Sequence, residues 1–253
     1  MMELSAGYIA LLAVAGFVAG ALNAAAGGGS LITFPVLIAV GYQPLIANVT
    51  NNVAVAPGYV TGVTGYRREL SGQRRRVLPL AIASVVGSLI GVGLILASSQ
   101  TVFQSIVPFL ILVACALIAA QPKISRWLGE REGDRDRPGV LALAGQTLTA
   151  AYGGYFGAAL GVAVLALLGL VFEDTLQRLN ALKALLQLVI GAVAALGFAL
   201  LTPVAWTAVV IIGPAALIGG EVGARLARRV SDRVLRVGIV VYGVAAAIWL
   251  FVQ

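Results

Sequence analysis

Apolar runs of about twenty residues, each long enough to cross a bilayer as a helix, alternate with short polar segments along this chain. The first goes from Ser5 to Ala26 and meets Gly27-Gly28-Gly29-Ser30. A shorter run, Leu31–Val40, ends at Gly41-Tyr42-Gln43-Pro44. Ile46–Gly65, Val77–Ala97 and Val102–Ala120 follow, and then the polar stretch Pro122–Pro138. Beyond it the pattern recurs. Val140–Phe156 meets Gly157-Ala158-Ala159-Leu160-Gly161, the short run Val162–Val171 ends at Glu173-Asp174, and Leu179–Leu201, Val204–Ala224 and Val234–Phe251 close the series. Each half reads as a long run, a glycine break, a short run and three spans. The expected class is an all-α polytopic membrane protein with a first membrane repeat over 1–121, a linker over 122–138 and a second repeat over 139–253.

Individual residues fall into the same register. Ala47-Asn48-Val49-Thr50-Asn51 stands 132 positions before Leu179-Asn180-Ala181-Leu182-Lys183, and Gly87-Ser88-Leu89-Ile90-Gly91 stands 132 before Gly219-Gly220-Glu221-Val222-Gly223. The glycine breaks align within one residue of that offset, Gly29-Ser30 opposite Leu160-Gly161. A fixed period of this kind is the signature of an internal duplication.

Composition agrees with the pattern: 60% of residues are hydrophobic and 11% charged, against roughly 45–50% and 25% in soluble domains. The net charge of +7 does not point to nucleic acid, because the basic residues cluster in loops, as in cytoplasmic segments of membrane proteins. The chain has no histidine, which excludes histidine zinc sites, Ser-His-Asp triads and histidine proton relays. Cys115 stands alone in an apolar run and reads as a small buried hydrophobe. No cofactor and no enzymatic constellation is expected. The acidic start, Met1-Met2-Glu3, lacks the cationic region of a signal peptide, so the first run is expected in the mature protein.

The arginines also set parity. Arg67, Arg68, Arg74, Arg75 and Arg76 predict a cytoplasmic loop, as do Lys123, Arg126, Arg131, Arg135 and Arg137, and Arg225, Arg228, Arg229, Arg233 and Arg236. Two spans separate residue 172 from the last basic loop, so 172 belongs on the cytoplasmic side and the broken segment 140–171 must enter and return. Each half is then a broken, re-entrant-type helical hairpin plus three transmembrane helices, an odd number of crossings. The two repeats are expected to be inverted, with both termini non-cytoplasmic in a cell (inner) membrane. Inverted repeats with interrupted helices are a transporter architecture. Short helices starting at Leu31 and Val162 would aim N-terminal N–H groups and positive dipole ends at the centre, a setting for an anion.

The residues at these breaks resemble a known family. Gly16-x-x-x-Gly20, then Gly27-Gly28-Gly29-Ser30-Leu31-Ile32-Thr33-Phe34-Pro35 and Ala47-Asn48-Val49-Thr50-Asn51, look like the first repeat of TauE/SafE sulfite exporters. Gly153-Gly154-Tyr155-Phe156-Gly157 and Gly223-Ala224-Arg225-Leu226-Ala227-Arg228-Arg229 resemble the second. The resemblance implies an integral-membrane transporter of small sulfur-containing anions, sulfite or organosulfonates, exported on the proton motive force. An uptake permease or an anion channel is the alternative. The second break departs from the pattern, with Ala159-Leu160-Gly161 for a glycine triplet and Ala166 for a proline, and Lys183 replaces a small polar residue.

Asn48, Asn51 and Asn52 share one helical face, as do Asn180, Lys183 and Gln187. Amide N–H groups can bind sulfite or sulfonate oxygens without burying full charge, and one lysine would balance the anion. Gly28, Gly29, Ser30, Thr33 and Gly157 complete the expected substrate site: glycines let backbone approach closely, and the hydroxyls donate or cap. Glu221 is the carboxylate deep in an apolar run and the candidate for proton coupling, with pairing to Arg225 as the plainer reading. Expected partners are the anion, protons and the lipid bilayer, with no metal and either a monomer or a homodimer.

Overall fold

The computed structural model describes residues 5–25, 28–129, 138–226 and 232–252. Gly27, the charged residues 130–137, Arg228, Arg229, both chain ends and the side chains of Arg225 and Arg233 lie outside the description. Among the described residues the regular structure is helical: α1 (Ala6–Ala25), α2 (Ser30–Ala39), α3 (Pro44–Val55), α4 (Gly58–Gly65), α5 (Arg74–Ala97), α6 (Gln100–Gly129), α7 (Val140–Tyr155), α8 (Leu160–Val171), α9 (Leu176–Leu201), α10 (Trp206–Leu226) and α11 (Asp232–Val252). The all-helical, polytopic class expected from the apolar runs is what forms, since hydrocarbon demands that every backbone donor and acceptor be paired within its own segment. At least four helices are long and apolar enough to span a membrane: α1, α5, α6 and α9. Large side chains such as Leu78, Val140, Leu141, Leu200 and Val210 are exposed, a surface suited to acyl chains rather than water.

Three boundaries differ from the sequence reading. The span expected over 46–65 divides at Ala56-Pro57 into α3 and α4, because Pro57 has no N–H and its ring crowds the preceding turn. α8 starts at Leu160, not Val162, because the backbone is left-handed at Gly157 (φ 76°) and Ala159 (φ 55°) and the helix begins directly after. α6 continues to Gly129, so part of the expected linker is helix.

Side-chain contacts give the helix directions. α9 runs parallel to α5: Arg76 meets Asp174 at one end, Ser88 donates to the Ile190 carbonyl (3.0 Å) and Gly197 lies against Val92 towards the other. α7 is also parallel to α5, through Gln146–Ser84 (2.8 Å) and Ser98–Tyr155 (3.3 Å). α8 then returns, which brings Phe172 beneath the Arg76 guanidinium, 4.9 Å from the ring centre. The α7–α8 pair therefore enters and leaves at one end of the molecule. α1 runs parallel to α10, and the chain leaving α2 emerges beside Gln100, which accepts from Leu45 N–H at 3.3 Å, at the opposite end. α6 and α11 pair antiparallel, Phe109 against Phe251 and Cys115 beneath Gly243.

Small residues set the closest crossings. A Cβ on Gly20 would lie 1.9 Å from the Ala216 carbonyl oxygen, and one on Gly219 the same distance from that of Phe17. Gly87, Gly91 and Gly154 play that part between α5 and α7. Backbones at this separation gain dispersion contacts that lipid cannot supply. Exchanging α1, α2, α5 and α6 with α7, α8, α10 and α11 carries α1·α10 into α7·α5, α1·α2 into α7·α8 and α2·α11 into α8·α6. The starts of α9, α10 and α11 follow those of α3, α5 and α6 by 132 residues each.

Candidate functional site

The first break is stapled by its own side chains. Asn23 Oδ1 accepts the Gly29 N–H at 2.8 Å, and the N–H groups of Ile32 and Thr33 turn back onto the Gly29 carbonyl. Thr33, fully buried, donates its hydroxyl to Asn51 Oδ1, with the Gly29 carbonyl 3.5 Å away. This joins α2 to α3. Asn51 is only 2% exposed, and its Nδ2 donors find no acceptor among the described residues. Gly28, Gly29 and Ser30 are buried around the same turn.

The second break reaches α3 from the other side. Asn48 Nδ2 donates to the Tyr155 carbonyl at 2.8 Å. Asn52 Nδ2 lies 3.0 Å from the Asn48 carbonyl and 3.4 Å from that of Phe156. Asn52 Oδ1 sits 3.0 Å from where a Cβ on Gly157 would be, and the Tyr152 hydroxyl donates to Ala158 O at 2.6 Å. Phe34 of α2 packs edge-on against Phe156, ring centres 5.5 Å apart. One helix face of three asparagines thus touches both breaks, and that convergence is the candidate site.

The expected residues of α9 are arranged differently. Lys183 Nζ donates to Asn180 Oδ1 at 2.8 Å, and Asn180 Nδ2 bonds back to the Leu176 carbonyl of its own helix. Lys183 has no bond to Asn51, which stands 132 positions before it: neighbouring Ala184 lies by Gly62 of α4, whereas the Thr50 hydroxyl accepts from the Ala205 N–H beyond the far end of α9. Gln187 lies over Gly161 at the start of α8, its amide within 2.9 Å of a Cβ placed there. Glu221 is exposed on α10 and has an interaction of its own; it is not among the buried groups at the breaks.

A second polar cluster closes the end of the molecule where α8 passes into α9. Asp174 accepts from Arg76 (2.5 Å) and Arg178 (3.0 Å), and Gln73 Nε2 donates to the Arg178 carbonyl at 3.0 Å. Burial pushes the Asp174 carboxyl up, but the hydrogen bonds from Arg178 and Arg76 outweigh it and hold the group below its ordinary range.

The sulfite exporter TauE/SafE family model matches residues 12–250. The chain belongs to this family. Relatives are similar over nearly their whole length: a "Probable membrane transporter protein ORF9" of Sinorhizobium sp. is 29% identical over 99% of this chain and 95% of its own. One from Haemophilus influenzae, also a "Probable membrane transporter protein", is 26% identical over 95% and 93%. "Probable membrane transporter protein YfcA" of Escherichia coli K12 is 29% identical over 91% and 86%. This TauE/SafE chain is a multi-pass membrane transporter and not an enzyme.

Sequence reasoning left three residues of the candidate site and its neighbourhood without their roles, Tyr152, Arg76 and Asp174, and gave Asn52 only a place on the asparagine face. Tyr152 holds the second break, and its aromatic spacing just before the glycine was the available signal. Asn52, read only as part of the asparagine face, braces the same turn. Arg76 reads as a topology marker and Asp174 as a loop acid, yet they pair across 98 positions of sequence, a separation no local pattern encodes.

Proposed function

We propose that this TauE/SafE member is a secondary carrier that exports small sulfur-containing anions, sulfite or short sulfonates, on the proton motive force by alternating access. The observation that carries this reading is Asn51, buried where both breaks meet and offering amide donors that no group among the described residues accepts. An oxyanion fits such donors, and a neutral amide does not impose the cost of a buried cation when the site is empty. The proposed substrate residues are Gly28, Gly29, Ser30, Thr33, Asn48, Asn51 and Gly157, with Asn180, Lys183 and Gln187 lining the route on the α9 side.

The two halves, 1–121 and 139–253 about the segment 122–138, are read as inverted repeats, with α1–α2 and α7–α8 as re-entrant hairpins. The exchanged helix pairs, the 132-residue offset and the opposite ends at which α2 and α8 emerge support this. The basic segments favour a cytoplasmic Arg76–Asp174 end and termini on the outer side. We assign proton coupling to Lys183, whose hydrogen-bond partner among the described residues is Asn180, rather than to exposed Glu221.

Proteoliposomes loaded with sulfite test the function. The expected result is saturable efflux, accelerated by an inward proton gradient, inhibited by a short sulfonate and indifferent to sodium. Unsaturable anion conductance would make it a channel, and sodium or amine transport without an anion effect would contradict the reading.

A further inference from the structure

α6 and α11 leave a crevice of about 460 Å³ between them, walled by Ala119 and Pro122 on one side and Val237, Val240 and Val241 on the other. Two arginines stand in it, Arg126 in the last turn of α6 and Arg236 near the start of α11. Val237 and Val241 are more than half exposed, so the crevice opens on the outer, lipid-facing surface. Neither arginine has an acidic partner among the described residues.

We propose that this crevice seats one anionic phospholipid, its phosphodiester held between Arg126 and Arg236 and an acyl chain lying along the valines of α11. Charge complementarity chooses this occupant. Two guanidiniums with no acidic partner among the described residues form a site for a phosphate oxyanion, and both come from basic segments that belong at the cytoplasmic leaflet, where anionic lipids attract juxtamembrane cations. A free inorganic anion would satisfy the arginines and leave the apolar walls unused, whereas a lipid occupies both. Because the arginines sit on the last helix of each half, the lipid bridges the α6–α11 contact.

The test is native mass spectrometry of the intact protein titrated with dioleoylphosphatidylglycerol, dioleoylphosphatidylcholine or inorganic phosphate. One phosphatidylglycerol per chain should be retained in preference to phosphatidylcholine. Arg126→Gln with Arg236→Gln should weaken that retention about thirtyfold, the loss expected for two juxtamembrane cations, while Arg74→Gln with Arg75→Gln leaves it unchanged. Should the double variant fail to fold, a photoactivatable phosphatidylglycerol on the parent protein must crosslink to α6 and α11. Equal retention of the two lipids, retention that survives loss of both arginines, crosslinking elsewhere, or displacement of the lipid by inorganic phosphate would each overturn the proposal.

Discussion

Thr33 and Asn51 form the most consequential residue contact. Thr33→Val removes the donor and leaves Asn51 Oδ1 buried without a partner, so it should destabilise the protein by about 2 kcal/mol, read as a lower midpoint in detergent thermal unfolding. At Ala159 the sign is reversed. A left-handed alanine costs about 1 kcal/mol, so Ala159→Gly should leave the fold intact and raise that midpoint by a few degrees. A fall would mean that the alanine methyl packs too well to lose. The asparagine face and Thr33 were legible in the sequence because polar side chains at helical spacing have few reasons to sit in an apolar run. Tyr152 was not, since a tyrosine at a helix end in a membrane protein ordinarily reads as an interfacial anchor.

Among elements, the two glycine-lined crossings and the α8–α9 junction carry specific expectations. Gly219→Ala would press a methyl into the Phe17 carbonyl and should cost about 2–3 kcal/mol through overpacking. Gly238→Ala, where a Cβ meets open space, should be silent. Asp174→Asn strips the charge facing Arg76, whose side chain is 4% exposed, and should cost about 3 kcal/mol, as breaking a buried pair does. Its pH signature follows from the depressed carboxyl. The pair's contribution is complete above the unfolded value of about 3.9 and vanishes as pH falls through the lower folded value, so the variant and the parent should converge in stability only in strong acid. A variant that tracks the parent at neutral pH would show that the pair is solvated and inert. Hydropathy located every one of these elements, but it is blind to Pro57 dividing a span and to the left-handed turn that starts α8, because both are matters of backbone geometry rather than of transfer free energy.

For the whole molecule, the offset of 132 residues and the arginine distribution were readable from the chain, and they pointed to the candidate site at the meeting of two breaks. The α9 side of that site was not readable. The 132-residue offset sets Lys183 opposite Asn51, but Thr33 falls opposite Val164 in the register of the glycine breaks and opposite Leu165 at that offset, so neither position carries the hydroxyl that ties α2 to α3, and Lys183 bonds to Asn180 instead. Orientation is open to labelling: single cysteines near either end, in a Cys115→Ala background, should react with an impermeant maleimide from outside, and those placed in 66–76 should not. The most direct test of the central claim, an oxyanion held by Asn51 between the breaks, is calorimetric titration of purified parent and Asn51→Ala proteins with sulfite. The account predicts saturable binding to the parent and at least tenfold weaker binding to the variant, the loss of one charge-assisted hydrogen bond, with unchanged helix content. Equal affinity in the two proteins would contradict it.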